Sequence, residues 1–143
     1  MQQLVRGEKQ RAYDSYEDFA ERMMAENPNL TEERAVFLVQ HWGQPGPDGT
    51  VARRADPAHK FVSPVSLGFE ESRGCWSQIT APVLWVEGAE SPAAENAARD
   101  PERYEARLSA FQNLAGVERV QGAGHNIHHD QPEALAALIE GFA

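Results

Sequence analysis

The segment that most constrains this chain is Val83-Leu84-Trp85-Val86-Glu87-Gly88, entered through Ile79-Thr80-Ala81-Pro82. Its apolar residues run on without alternating and stop at a glycine. Such a run predicts a strand covered on both faces, as in a parallel sheet. A parallel partner must be reached by a crossover, usually a helix. The next stretch supplies one: from about Pro101 to Leu114, Tyr104, Leu108, Phe111 and Leu114 recur at three- and four-residue steps. Gly116 ends that helix, and Val117-Glu118-Arg119-Val120 is the second strand. A last helix begins near Asp130-Gln131-Pro132-Glu133, with Asp130 as its cap and Pro132 tolerated in the first turn. Leu135, Leu138, Ile139 and Phe142 are expected to form its buried face. Residues 79–143 therefore read strand–helix–strand–helix, a βαβ unit plus a closing helix.

The first 78 residues have a different character. Residues 1–13 are polar and aperiodic, an arm or a connection. Ser15 followed by Asp18 is a capping-box pattern that opens a helix carrying Phe19, Met23 and Met24 on one side. Asn27-Pro28-Asn29 stops it, because proline lacks the amide the next turn needs. Thr31 caps a second helix, with Glu32 and Glu33 in its first turn, and Gly43 ends it. Residues 43–49 read as turns, residues 50–53 as a short extended piece, and Glu70–Trp76 as a short helix. The chain thus divides into a helical segment, 1–78, and an α/β segment, 79–143.

Composition narrows the function classes. The 143 residues hold 13 Lys and Arg against 22 Asp and Glu, a formal net charge of −9. Nucleic-acid binding is disfavoured, since the phosphate backbone calls for clustered cations. No stretch approaches the roughly 20 apolar residues of a membrane helix. The N-terminal residues lack the apolar core of a secretory signal. The single Cys75 excludes an internal disulfide and, beside Trp76, is expected to be buried and inert. A soluble cytoplasmic protein is the expectation. No phosphate-binding or dinucleotide loop occurs, so no cofactor is expected.

The chemistry is concentrated after the second strand, in Gly122-Ala123-Gly124-His125-Asn126-Ile127-His128-His129. Two glycines allow a tight turn. They place His125 at the C-terminal end of a strand, where ligands gather in parallel α/β sheets. Imidazole is the natural general base near neutral pH. His125, His128 and His129 also raise the question of a metal. The glycines oppose a continuous helix that would align them and no Cys lies nearby, so no metal is expected.

Gly124-His125-Asn126-Ile127-His128, followed by Asp130-Gln131-Pro132-Glu133, resembles the C-terminal histidine motif of α/β-hydrolase-fold enzymes. Ala81–Gly88 resembles the strand preceding the acid of their catalytic triad, and residues 14–77 resemble the inserted helical cap. The resemblance implies a partial α/β-hydrolase fold: a cap-like segment, then the C-terminal part of the core. It implies ester or related bond hydrolysis of a small-molecule substrate through a nucleophile–His–acid triad, with His125 as the base. The acid belongs a few residues after the strand's glycine. Ser91 occupies the usual place, so Glu90 is the first candidate and Glu87 the second, unless the acid lies outside this chain.

The nucleophile should sit in a Gly-x-Ser-x-Gly elbow upstream of both. No two glycines in the chain are four apart. The nearest approach, Pro64-Val65-Ser66-Leu67-Gly68, lacks both the preceding strand and the following helix that hold the serine. The chain alone is therefore expected to be weak or inactive as a catalyst and to look like the back part of a longer hydrolase. Alternatively, it is a non-catalytic assembly module. Two strands with open edges should pair with an N-terminal half or with a second copy. Phe37, Trp42 and Phe61 either line a substrate entrance or form the cap's own small core; the core reading is preferred.

Overall fold

The computed structural model describes residues 12–56 and 67–142. These form two compact units, one within 12–56 and the other within 67–142.

The first unit is a helical hairpin on a small antiparallel sheet. Strand β1, Ala12–Tyr13, pairs with β3, Val51–Arg53, which also pairs with β2, Gly43–Pro45. Helices α1, Tyr16–Glu26, and α2, Glu32–Trp42, lie between them in sequence. Ser15 caps α1 by accepting from the Asp18 amide at 3.1 Å, and Asp18 answers by accepting from the Asp14 amide at 3.1 Å. Thr31 caps α2 through the Arg34 amide. Phe19, Ala20, Met23, Ala35 and Val39 interlock with Tyr13 and Val51 in one buried cluster.

Three expectations change here. Tyr13 is not part of a loose arm, since its ring stacks on Phe19 at 4.1 Å and its backbone joins the sheet. Residues 43–45 are a strand, and the turn that follows is a 3-10 turn at Pro47–Gly49 with Asp48 and Gly49 at positive φ. Phe37 and Trp42 do not build the core: they are 61% and 38% exposed, because α2 turns Ala35 and Val39 inward instead. Phe61 lies outside the described residues.

The second unit holds helix α3, Phe69–Trp76, and strands β4, Val83–Gly88, and β5, Leu114–Val120. The strands pair in parallel, from Val83 opposite Leu114 to Gly88 opposite Val120. The helix expected from about Pro101 to Leu114 ends sooner, as α5, Pro101–Leu108, capped by Asp100, and a break at Asp100 separates it from an unexpected helix, α4, Pro92–Arg99, capped by Ser91. Pro101 forces this break, because it cannot donate to the preceding turn. Leu114, read as the end of the helix, begins β5. After β5 come a short helix α6, Ile127–Asp130, and α7, Pro132–Phe142.

The second unit buries little. Val83 to Val86 are half-buried rather than covered on both faces. No residue of α7 is buried. Ile139 and Phe142, expected on its inner face, are 54% and 40% exposed. Cys75 is exposed, not buried, because α3 has no buried residue at all. No described helix is long and apolar enough to cross a membrane.

Candidate active site

The parallel pairing of β4 and β5 brings two loops together at the strands' C-terminal ends. The Ala89 amide donates to the Val120 carbonyl at 2.9 Å, and the Glu90 amide donates to the Ala123 carbonyl at 3.0 Å. Gly88 makes this approach possible. A Cβ there would collide with the carbonyl oxygens of Ala123 and Gly124, both rigid backbone. Ser91 then donates its amide back to Gly88 and caps α4 with its side chain.

The loop after β5 is fixed at three consecutive residues. Gly122 sits at φ 65°, a conformation glycine adopts without steric cost. Its carbonyl accepts from the Gln131 side-chain amide at 3.2 Å. Ala123 is fully buried and holds the Glu90 amide. The Gly124 amide donates to Asp130 Oδ2 at 2.8 Å. Asp130, expected as the cap of the last helix, is instead fully buried at the end of α6 with its carboxylate turned back on the loop. The carboxylate satisfies an amide as a cap does, but the amide belongs to the loop.

His125 follows directly and is exposed, as is Glu90 on the neighbouring loop. The structure therefore puts the two candidates on adjacent, backbone-bonded loops. Among the described residues, no hydrogen bond joins their side chains. Behind His125, the rings of His128 and His129 lie 4.0 Å apart. Burial, with the neighbouring His128, pulls the His129 imidazole below its ordinary pKa despite Asp130. Among the described residues no cluster of His, Cys, Asp and Glu could hold a metal ion. Ser66 lies outside the described residues.

Glu87 has a different occupation. It is buried, and both its oxygens are taken: Oε1 by Arg119 Nε at 2.8 Å and by Arg119 Nη2, Oε2 by Trp85 Nε1 at 3.1 Å and by the Tyr104 hydroxyl at 3.2 Å. Burial pushes its pKa up, but the Arg119 ion pair and the two other donors outweigh this and hold it below the ordinary carboxylate range. Burial, and then the Glu87 charge and hydrogen bond, raise the Tyr104 hydroxyl, while the Glu87 hydrogen bond and charge raise Arg119. Glu87 thus ties β4 to β5 and α5, leaving Glu90 as the free carboxylate on this loop. Sequence reasoning missed this network. A charged residue at the end of an apolar run was its one visible sign.

No protein-family model matches the sequence, and no curated protein matches it. Solved structures do match. An esterase of Mycobacterium tuberculosis is 22% identical, with a TM-score of 0.67 over 92% of this chain and 42% of its own. A thioesterase domain from the curacin biosynthetic pathway is 23% identical, with a TM-score of 0.75 over 98% of this chain and 48% of its own. An α/β hydrolase of Novosphingobium aromaticivorans is 17% identical, with a TM-score of 0.56 over 96% and 48%. The chain spans less than half the length of each. The architecture shared with these structures is that of the α/β hydrolases, and this chain carries part of that fold, its C-terminal portion.

Proposed function

We propose that the chain supplies the histidine and the acid of a hydrolase that cleaves an ester or related bond in a small-molecule substrate. The observation that carries this reading is the pinned loop Gly122–Gly124, which presents His125 at the end of β5 beside the Glu90 loop. The esterase and thioesterase likeness supports the reaction class. In this mechanism the His125 imidazole takes the proton of an attacking hydroxyl as its oxygen bonds to the acyl carbon. The same proton then passes to the leaving group as the tetrahedral intermediate collapses. Glu90 orients the ring and stabilises the imidazolium. The hydroxyl and the oxyanion-binding amides come from a complementing N-terminal half with a Gly-x-Ser-x-Gly elbow.

A second observation favours assembly with such a half. Ile139, Phe142 and Val117 are exposed on a unit whose sheet has two strands. More than half of each matching structure lies outside the region this chain covers. The complementing half of the fold covers these exposed side chains. Hydrolysis of p-nitrophenyl acetate tests the catalytic reading. The chain alone should be weak or inactive, and robust turnover abolished by His125→Ala would overturn that expectation. Size-exclusion chromatography with light scattering tests the assembly reading: a stable monomer that ignores the complementing half counts against it.

A further inference from the structure

A cavity of about 330 Å³ runs along α4 and α5, lined by Asn96, Arg99, Asp100, Arg103, Tyr104 and Arg107. It gathers three guanidiniums and one carboxylate in a chain whose net charge is −9. The carboxylate is partly occupied, since Asp100 Oδ1 accepts from the Arg103 amide at 3.0 Å as the cap of α5. Arg99 pairs with Glu95 at 3.3 Å on the exposed rim.

Arg103 and Arg107 have no ion pair among the described residues. They are held by aromatic faces instead. The Arg103 guanidinium lies 4.5 Å from the centre of Phe69, and that of Arg107 lies 5.9 Å from both Trp76 and Trp85. Such contacts hold the cation without consuming its N–H groups, which remain for acceptors. Arg107 Nε is shielded from solvent and has no hydrogen-bond partner.

The geometry points to this cavity as a binding site for a small oxyanion of the phosphate class, either free phosphate or a phosphomonoester. Arg103 and Arg107 grip the oxygens in the bidentate manner that suits guanidinium, and Arg99 adds charge at the rim. With Asp100 and the rim Glu95 counted against the three guanidiniums, one positive charge remains, carried by Arg103 and Arg107 and suited to an anion. The volume leaves room for a small organic group beside the phosphate. The site uses none of the residues assigned to hydrolysis, so it stands or falls separately from that reading.

Arginine Nε–Hε resonances of the full chain, followed during titration at constant ionic strength, test it. Inorganic phosphate, phenyl phosphate and chloride are the probes. Arg103 and Arg107 should shift saturably with both phosphates and not with chloride, while Arg22 on the first unit stays still. Arg103→Gln should weaken binding about tenfold, the scale of one charge-assisted hydrogen bond. Arg103 is exposed, so this variant keeps its fold, whereas Arg107→Gln would uncover Trp76 and Trp85. Arg99→Gln should weaken binding by a smaller factor. Tighter binding of phenyl phosphate identifies a phosphomonoester, and equal binding identifies free phosphate. Shifts that rise in parallel at Arg22 and Arg103 without saturating, or an affinity unchanged in Arg103→Gln, would overturn the assignment.

Discussion

At the scale of single residues, two side-chain choices set the geometry of the site. Gly88 is one, because any Cβ would strike the carbonyls of Ala123 and Gly124. Gly88→Ala should destabilise the fold by about 1–3 kcal/mol, the usual cost of overpacking, and displace the His125 loop. Chemical denaturation and the amide shifts of residues 122–126 would report both. Glu87 is the other. Glu87→Gln keeps the volume but removes the charge opposite Arg119, and should cost about 1–3 kcal/mol. The sign of its pH dependence follows from the lowered pKa: the carboxylate is more acidic folded than unfolded. Its stabilisation is therefore complete above the ordinary Glu value of about 4.3 and is lost as pH falls below it. Denaturation midpoints measured from pH 7 down to pH 3 should fall less steeply for Glu87→Gln than for the parent. His129 works in the same direction at higher pH. Its imidazole is pulled down in the fold, so stability should fall as pH drops through about 6.5, the unfolded value.

At the scale of elements, α7 stands out. Its apolar residues have helical spacing, yet none is buried. Ile139→Glu should leave the stability of the chain within about 0.5 kcal/mol, as for an exposed surface site, and should abolish pairing with the complementing half. A thermal melt of the variant alone, set beside a pull-down with that half, separates the two effects. The same helix shows where sequence reasoning reached and where it stopped. Periodicity locates α1 and α7, and the Ser15 and Thr31 caps match the starts of α1 and α2. An apolar run located β4, and the glycine turn located the His125 loop. Periodicity says which face is apolar, but not whether a partner covers it, so the sequence places Ile139, Phe142 and Phe37 in cores they do not join. Helix α4 leaves too little apolar pattern to be read, and the start of β5 at Leu114 merges with α5 because Leu108, Phe111 and Leu114 keep helical spacing across the turn. Pairings between distant residues, such as Glu87 with Tyr104 and Arg119 or Gly124 with Asp130, leave no local pattern at all.

At the scale of the whole molecule, the burial is uneven. Among the described residues, the buried hydrophobics Tyr13, Phe19, Ala20, Met23, Leu30, Ala35, Val39 and Val51 belong to the first unit, and only Leu108, Val120 and Ala123 to the second. A parallel sheet of two strands with so little covered surface is marginal by itself. Backbone amides of β4 and β5 should exchange with solvent faster than those of α1 and α2, and should gain protection when the complementing half is added. The central claim is that His125 is the base of a hydrolase completed by that half. Its most direct test is the rate of p-nitrophenyl acetate hydrolysis by the chain alone, by the chain co-expressed with an N-terminal half carrying a Gly-x-Ser-x-Gly segment, and by the same pair bearing His125→Ala. The account predicts turnover only in the second sample, with a loss of at least about 10³-fold in the third. Turnover by the pair that survives His125→Ala would contradict it.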